Sequence, residues 1–179
     1  RIADLMESSG VGFGTSGARG LAHAMTDRVC YAYTAGFLGY LTGRGEVAAG
    51  DRVALAGDLR STTPRIMRAC SLAIRACGFV PVNCGFIPTP AVTFWAMSQR
   101  IASIMVTGSH IPDDRNGIKF NRPAGEILKS DESGIRAEMP RVPDLFDGAG
   151  GLAAPQELPP VAPEARAAFI EKGKKVLGE

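Results

Sequence analysis

Four stretches of the chain carry apolar residues at the spacing of an amphipathic helix. The first covers about 27–41 and follows Thr26, a residue type that favours the N-cap position. Two more begin at the Thr-Pro pairs 63–64 and 89–90, where proline takes a first helical position that needs no N–H. The last covers 164–177. The pattern therefore predicts four helices.

Short apolar or alternating runs between these helices predict strands. They are RVALAG at 52–57, FVPVNCG at 79–85, ASIMVTG at 102–108 and GIKFN at 117–121. Pro81 cannot donate a ladder hydrogen bond, so we expect the second run at a sheet edge, or Pro81 at the start of its strand. Strands that alternate with helices predict an α/β architecture with a largely parallel sheet, whose ligands bind beyond the carboxyl ends of the strands.

The glycine-rich segment 8–20 is predicted to be a loop. Within it, GFGTSG at 12–17 fits a dinucleotide-binding pattern, but no convincing strand precedes it and no acidic residue follows about 20 positions on. We therefore expect no affinity for NAD. Thr15, Ser16 and Arg19 could converge on an anion, although this segment alone favours a surface turn with a solvated arginine.

Composition narrows the classes of function. The chain has 179 residues, 45% of them hydrophobic, which is enough for a buried core. A formal charge of +2 with scattered Lys and Arg argues against nucleic acid as a partner. No run has the length of a signal peptide or a membrane span, and the four cysteines show no zinc-like spacing, so we expect a cytoplasmic protein. Because the sequence lacks an initiator Met, we expect a trimmed product or fragment; nothing in it indicates the oligomeric state.

The candidate chemistry lies in VTGSHIPDDRNGIKF, where an apolar run stops and Ser109 stands beside His110. A serine hydrolase is disfavoured, because Ile111 occupies the position of the last glycine in G-x-S-x-G and His110 is the immediate neighbour of the serine. A serine that only caps a turn is the default alternative. A serine that carries a phosphoryl group would need a divalent metal, a cationic residue and a general base nearby, and Lys119, which follows the Asn-Gly turn, and His110 are the candidates. A solvated strand lysine is the alternative interpretation of Lys119.

Four segments together resemble the α-D-phosphohexomutases, the phosphomannomutase/phosphoglucomutase superfamily. They are FGTSGARG at 13–20, AGDLRSTTP at 56–64, GFIPTPAV at 85–92 and TGSHIPDDRNGIKF at 107–120. The resemblance covers about 12–128. It implies a first domain built on a mixed sheet with helices on both faces.

The resemblance also implies roles for individual residues. Ser109 corresponds to the serine that is phosphorylated in the active enzyme, and His110 to a neighbour that helps with proton transfer or positioning. Lys119 would stabilise charge or act in acid–base chemistry, and Arg19 would face the phosphoserine. Supporting contacts to substrate or phosphate are expected from Thr15, Ser16, Arg19 and Asn116.

The implied activity is the interconversion of hexose 1-phosphate and hexose 6-phosphate, with mannose or glucose as the sugar, through a bisphosphate intermediate. Mg²⁺ would bind the phosphate on Ser109, with its other ligands in a second domain, and glucose 1,6-bisphosphate would act as activator. A phosphoglucosamine mutase is one alternative. A catalytically silent sugar-phosphate-binding or regulatory domain is another, favoured by Ile111 where the family usually has Asn.

Composition and resemblance together predict the domain organisation. Residues 1–145 form the phosphoserine domain, 146–163 a linker rich in Pro, Gly and Ala, and 164–179 a helix that could begin a second domain. The remaining domains of the parent protein would be its partners, and we expect the 179-residue chain alone to be inactive.

Overall fold

A computed structural model describes residues 7–14, 16–139 and 142–178 of the chain. Seven strands form one sheet within these residues. They are β1 (Gly12–Phe13), β2 (Gly17–Leu21), β3 (Arg52–Gly57), β4 (Val80–Phe86), β5 (Ala102–Val106), β6 (Arg115–Arg122) and β7 (Gly125–Glu126).

The sheet is mixed, as expected. Its order is β1-β2-β6-β5-β3-β4, with β7 paired to β6. Strand β3 is parallel to both β4 and β5, whereas the remaining pairs are antiparallel. Strand β4, which contains Pro81, lies at the edge of the sheet, where a residue without an N–H costs least.

Helices cover both faces of the sheet, which confirms the predicted fold class. They are α1 (Asp27–Gly43), α2 (Thr63–Ala76), α3 (Thr89–Gln99), α4 (Asp131–Ala137) and α5 (Glu164–Leu177). The hydroxyl of Thr26 accepts a hydrogen bond from the Val29 N–H, so the predicted N-cap of α1 is confirmed. Helix α4 was not predicted. No helix in the described part of the chain has the length and apolar character that crossing a membrane requires.

The alternation of side chains along β3 divides the core into two layers. Val53 and Leu55 pack with residues of α1 and α2, including Phe37. Ala54 and the next alanine on the same face pack with α3 and the start of α5, around Trp95. All of these β3 side chains are fully buried, and burial of a large apolar side chain stabilises a fold by about 1.5–3 kcal/mol.

The prediction that the glycine-rich segment 8–20 is a loop was wrong, because β1 and β2 lie within it. Strand β2 pairs with β6 so closely that a Cβ atom at Gly17 would collide with the carbonyl oxygen of Ile118. Glycine is therefore required for the pairing, and it also removes the side-chain alternation by which a strand is predicted.

The segment predicted as a linker lies against the sheet and helix α1 in its described part. The side-chain amide of Asn83 donates to the carbonyl oxygen of Pro159 (2.9 Å), and the Ala162 N–H donates to the Asn83 carbonyl oxygen (2.7 Å). Further back, the Leu152 N–H donates to the Asp27 carboxylate (2.9 Å). The domain boundaries themselves stay predictions.

Helix α5 packs against α3 on the outer layer. Ala165 is buried there, and the Lys172 ammonium lies 4.1 Å from the centre of the Phe94 ring. Most of the remaining surface of α5 is exposed, including Val176 and Leu177.

Candidate active site

Ser109 lies in the serine loop, residues 107–115, which follows the carboxyl end of β5. Its backbone is left-handed, with φ of 53°, and its N–H donates to the Thr107 hydroxyl (2.9 Å). The side chain of Ser109 is exposed. A left-handed conformation costs a residue other than glycine about 1–2 kcal/mol, so the surrounding contacts must hold it.

The guanidinium of Arg60 occupies the inside of this loop. It donates to the carbonyl oxygens of Ile111 (2.6 Å), Pro112 (2.9 Å), Arg115 (3.3 Å) and Ser109 (3.4 Å). Only 14% of the Arg60 side chain is exposed. A single side chain from the end of β3 therefore binds four main-chain oxygens of the serine loop.

Asp58 connects the same loop to the start of α2. One carboxylate oxygen accepts the Thr63 hydroxyl (2.6 Å) and the Arg60 N–H (3.0 Å), and the other accepts the Gly108 N–H (3.0 Å). Burial alone raises the pKa of Asp58, but the hydrogen bonds from Thr63, Arg60 and Gly108 outweigh it and lower the pKa below its usual value. Asp58 is therefore held as a carboxylate.

Arg19 and Lys119 lie on the same face of the sheet, and Arg19 lies close to the first residue of the serine loop. The register of β2 and β6 pairs Arg19 with Gly117 and Gly17 with Lys119, and residues paired or two apart share a face. A Cβ atom at Gly117 would lie 3.2 Å from the Arg19 side chain and 3.0 Å from the Thr107 carbonyl oxygen. Both cations are half-exposed, and neither forms an ion pair with any residue that the structure describes.

His110, Ser16 and Thr15 were also predicted as site residues. His110 is exposed next to Ser109. Ser16 is buried, and its carbonyl oxygen accepts the Phe120 N–H (3.1 Å). Thr15 lies outside the described residues, so its predicted role stays a prediction.

Asn116 is fully buried, and its side chain connects β6 to α2. The amide nitrogen donates to the hydroxyls of Thr62 (2.9 Å) and Thr63 (3.2 Å), while the amide oxygen accepts the Gly117 N–H (2.8 Å). All of these contacts are internal to the protein. Its predicted contact with phosphate stays a prediction, and what the geometry supports is a role in fixing the end of the serine loop.

An open cavity of about 500 Å³ adjoins the serine loop. Its walls are formed by Asp58, Leu59, Arg60, Ser61, Ser109 and Asp113. Among the described residues, no group of three or more His, Cys, Asp or Glu side chains could hold a metal ion. A phosphate on Ser109 would offer hard oxygen donors of the kind Mg²⁺ prefers, but the described side chains do not complete a coordination shell around it.

Asp58 and Arg60 were not predicted as site residues, although the sequence contains a signal for them. Both follow directly after the buried strand β3, at the edge of the sheet where ligands bind in α/β folds. Their partners could not be read from the sequence, since Arg60 and Ile111 are 51 positions apart.

Comparison with known proteins gives a consistent result. Residues 10–144 match the phosphoglucomutase/phosphomannomutase family, α/β/α domain I. A phosphomannomutase of Salmonella muenchen is 46% identical over 132 residues, which are 74% of this chain and 27% of that protein. A phosphoglucosamine mutase of Synechococcus sp. (strain RCC307) is 36% identical over 146 residues, 77% of this chain and 30% of that protein.

Solved structures agree with the sequence comparisons. A phosphoglucomutase/phosphomannomutase family protein from Burkholderia thailandensis has a TM-score of 0.61 and 28% identity, covering 70% of this chain and 29% of that one. A protein from Thermus thermophilus has a TM-score of 0.66 and 26% identity, covering 92% of this chain and 36% of that one. The chain thus spans less than a third of the length of the curated relatives named above. It belongs to the phosphoglucomutase/phosphomannomutase family, of which it contains the α/β/α domain I.

Proposed function

We propose that Ser109 carries the phosphoryl group in a phosphohexomutase that interconverts hexose 1-phosphate and hexose 6-phosphate. The observation that carries this proposal is that Ser109 is exposed and left-handed at the carboxyl end of β5, while Arg19 and Lys119 share one face of the neighbouring strands β2 and β6 without an ion-pair partner among the described residues. On this proposal, an anionic phosphoryl group on the Ser109 oxygen is stabilised by two positive charges that no described carboxylate neutralises.

The reaction consists of two transfers through Ser109. In the first, the P–O bond to phosphorylated Ser109 breaks and a new P–O bond forms to the free hydroxyl of the hexose monophosphate. The sugar hydroxyl loses its proton, and the Ser109 oxygen regains one. After the bisphosphate reorients in the site, the P–O bond of its other phosphoryl group breaks and a new P–O bond forms to Ser109. The Ser109 hydroxyl loses its proton, the freed sugar oxygen gains one, and the monophosphate isomer leaves.

We assign a separate role in this reaction to each of these residues. Arg19 and Lys119 stabilise the charge on the phosphoryl oxygens, which is the main requirement of phosphoryl transfer. His110, exposed beside Ser109, exchanges the proton. Mg²⁺, bound through the phosphate on Ser109, would neutralise further charge, with its protein ligands coming from outside the described residues. Glucose 1,6-bisphosphate would activate the protein by phosphorylating a free Ser109.

Mannose and glucose phosphates are the proposed substrates. The identity to the Salmonella muenchen phosphomannomutase is 46%, against 36% for the Synechococcus phosphoglucosamine mutase, which makes glucosamine phosphate the second candidate. The four cysteines are free thiols, which is consistent with a reducing cytoplasm.

A catalytically silent domain is less well supported. Ile111 replaces the usual Asn of the family, but its described polar contacts are main-chain ones: its N–H donates to the Gly108 carbonyl oxygen (3.1 Å) and its own carbonyl oxygen accepts from Arg60. Any residue except proline could supply both. The replacement therefore leaves the framework around Ser109 in place.

The test is mutase activity of the full-length protein with mannose 1-phosphate, Mg²⁺ and a trace of glucose 1,6-bisphosphate. We expect Ser109→Ala to lower kcat by several orders of magnitude, and mass spectrometry to locate phosphate on Ser109 of the wild type. Ser130→Ala is the control, since Ser130 is exposed and caps α4 without a side-chain hydrogen bond. Full activity of Ser109→Ala, or a wild type inactive on mannose and glucose phosphates, would refute the proposal.

A further inference from the structure

We infer that Arg60 is a positioning residue for Ser109, and that the serine loop takes its reactive shape around the Arg60 guanidinium. This inference rests on the proposed function, because it assigns Arg60 a part in the same reaction. Arg60 contacts the main chain of the serine loop and affects the reaction only by fixing the position of Ser109.

Arg60 binds four main-chain oxygens of the serine loop. The four carbonyl oxygens span residues 109 to 115, and the loop has few hydrogen bonds of its own, such as Arg115 N–H to the Pro112 carbonyl oxygen (3.0 Å). Arginine is suited to this task because its five N–H donors project in a rigid planar fork. The single ammonium group of a lysine could bind one or two of these oxygens.

Arg60 also fits closely against the main chain at Gly108. A Cβ atom at Gly108 would overlap the Nε and Cζ atoms of Arg60. The guanidinium therefore lies directly against the backbone, one residue before Ser109. The absence of a side chain at 108 is what allows this approach.

The electrostatic surroundings of Arg60 differ from those of Arg19 and Lys119. The Arg60 charge is already balanced: its Nε lies 3.4 Å from one Asp58 oxygen, and its Nη1 lies 3.1 Å from the exposed carboxylate of Asp113. This distinguishes Arg60 from Arg19 and Lys119, which have no such partners among the described residues. Arg60 is thus committed to the loop and its acidic neighbours, whereas the other two cations are available to a phosphoryl group.

Loss of the guanidinium should therefore affect turnover more than substrate binding. Without it, four loop carbonyls lose their donor, and among the described contacts Ser109 and its neighbours keep only main-chain donors: Ser109 N–H to Thr107, Gly108 N–H to Asp58 and Ile111 N–H to the Gly108 carbonyl oxygen. A displacement of about 1 Å at a reacting group lowers the rate roughly 100-fold. We expect kcat of Arg60→Ala to fall by about that factor, with KM little changed because Arg19 and Lys119 remain.

The experiment uses the full-length protein with Arg60→Ala and Arg60→Lys, and Arg75→Ala as the charge-matched control. Arg75 is exposed at the end of α2, with no side-chain contact described. Circular dichroism first establishes that each variant is folded. We then measure kcat and KM separately, add guanidinium well below denaturing concentration, and follow amide hydrogen exchange at Gly108 and Ile111.

The inference predicts a specific combination of results. In Arg60→Ala, both amides should exchange about ten times faster, as expected when charge-assisted contacts are lost. Its kcat should fall and recover in part with guanidinium, and Arg60→Lys should stay impaired although it keeps the charge. If Arg60→Ala does not fold, the lysine variant supplies the same measurements.

Other results would refute the positioning role of Arg60. Wild-type kcat in Arg60→Lys would mean that a point charge suffices, and a loss confined to KM would make Arg60 a substrate-binding residue. Unchanged exchange at Gly108 and Ile111 would show that the loop does not depend on Arg60. A wild type without turnover would refute the proposed function instead, and the exchange rates would then decide alone whether Arg60 orders the loop.

Discussion

Replacing Asp58 by Asn tests how far a single carboxylate holds the serine loop against the sheet. Asp58 accepts the Thr63 hydroxyl, the Arg60 N–H and the Gly108 N–H through its two oxygens. Asn has nearly the same shape but no charge and one acceptor oxygen. At least one of the three donors would therefore face an amide NH₂ group, and the others would lose a charged acceptor.

The magnitude follows from these contacts. A hydrogen bond to a charged group contributes about 1.5–3 kcal/mol to stability, more than a neutral one. Because the Asp58 side chain is 23% exposed, water can replace part of the loss. We expect Asp58→Asn to reduce the free energy of unfolding by about 2 kcal/mol near pH 7, which lowers Tm by about 4–8 °C for a domain of this size.

The effect should depend on pH with a defined sign. The pKa of Asp58 is lowered in the folded state, chiefly by its hydrogen bonds, which overcome the opposing effect of burial. The carboxylate therefore contributes its full stabilisation above the ordinary Asp pKa of about 3.9 and loses it as the pH falls through the lower folded value. The difference between wild type and Asp58→Asn should shrink over that acid range.

Urea unfolding of the 179-residue chain near neutral pH and in the acid range measures this difference. Asp144→Asn is the control, because Asp144 is exposed and accepts no described hydrogen bond. A free-energy difference that is equal at both pH values would show that the charge of Asp58 is not the source. A difference near zero at neutral pH would refute the role of these hydrogen bonds altogether.

Two further stability predictions use other parts of the fold. Gly17→Ala should destabilise the chain by about 3 kcal/mol or more, because the new Cβ would collide with the Ile118 carbonyl oxygen; Gly43→Ala, at the exposed last residue of α1 with open space around it, should change stability by less than about 0.5 kcal/mol. Equal Tm values for these two variants would contradict the close approach of β2 and β6. Asp27→Asn should speed amide exchange at Leu152 without unfolding the sheet, since it weakens the contact that holds this segment; unchanged exchange would show that the segment is held otherwise.

The elements that could be predicted are those whose signals are local. Strand β3 was predicted at 52–57 and observed as Arg52–Gly57. The continuous apolar run from 53 to 57 is typical of a strand that is covered on both faces of the sheet. Helix α1 was predicted because its N-cap and its apolar spacing agree. Helix α4 has only one fully buried apolar residue, Ile135, so its seven residues give too weak a periodic signal.

The candidate site could be predicted only in part, for the same reason. Ser109 and Lys119 were identified from one short segment and its resemblance to a family, and the register of β2 and β6 places Lys119 on the same face as Arg19. The function of Arg60 depends on contacts with a loop about 50 positions away, for which the sequence around Arg60 carries no information. The reason for glycine at position 17 becomes clear only when the pairing of β2 with β6 is known.

These contacts also indicate which changes in the serine loop the site tolerates. Arg60 binds carbonyl oxygens, so positions such as 111 contribute a group that every residue has, and Ile in place of Asn leaves it unchanged. Gly108 is different, because any side chain there would displace the guanidinium itself. A loop built in this way can vary in its side chains while keeping Ser109 in one conformation, provided that Arg60, Asp58 and Gly108 stay. The precision of the site is therefore encoded mainly outside the segment that carries its chemistry.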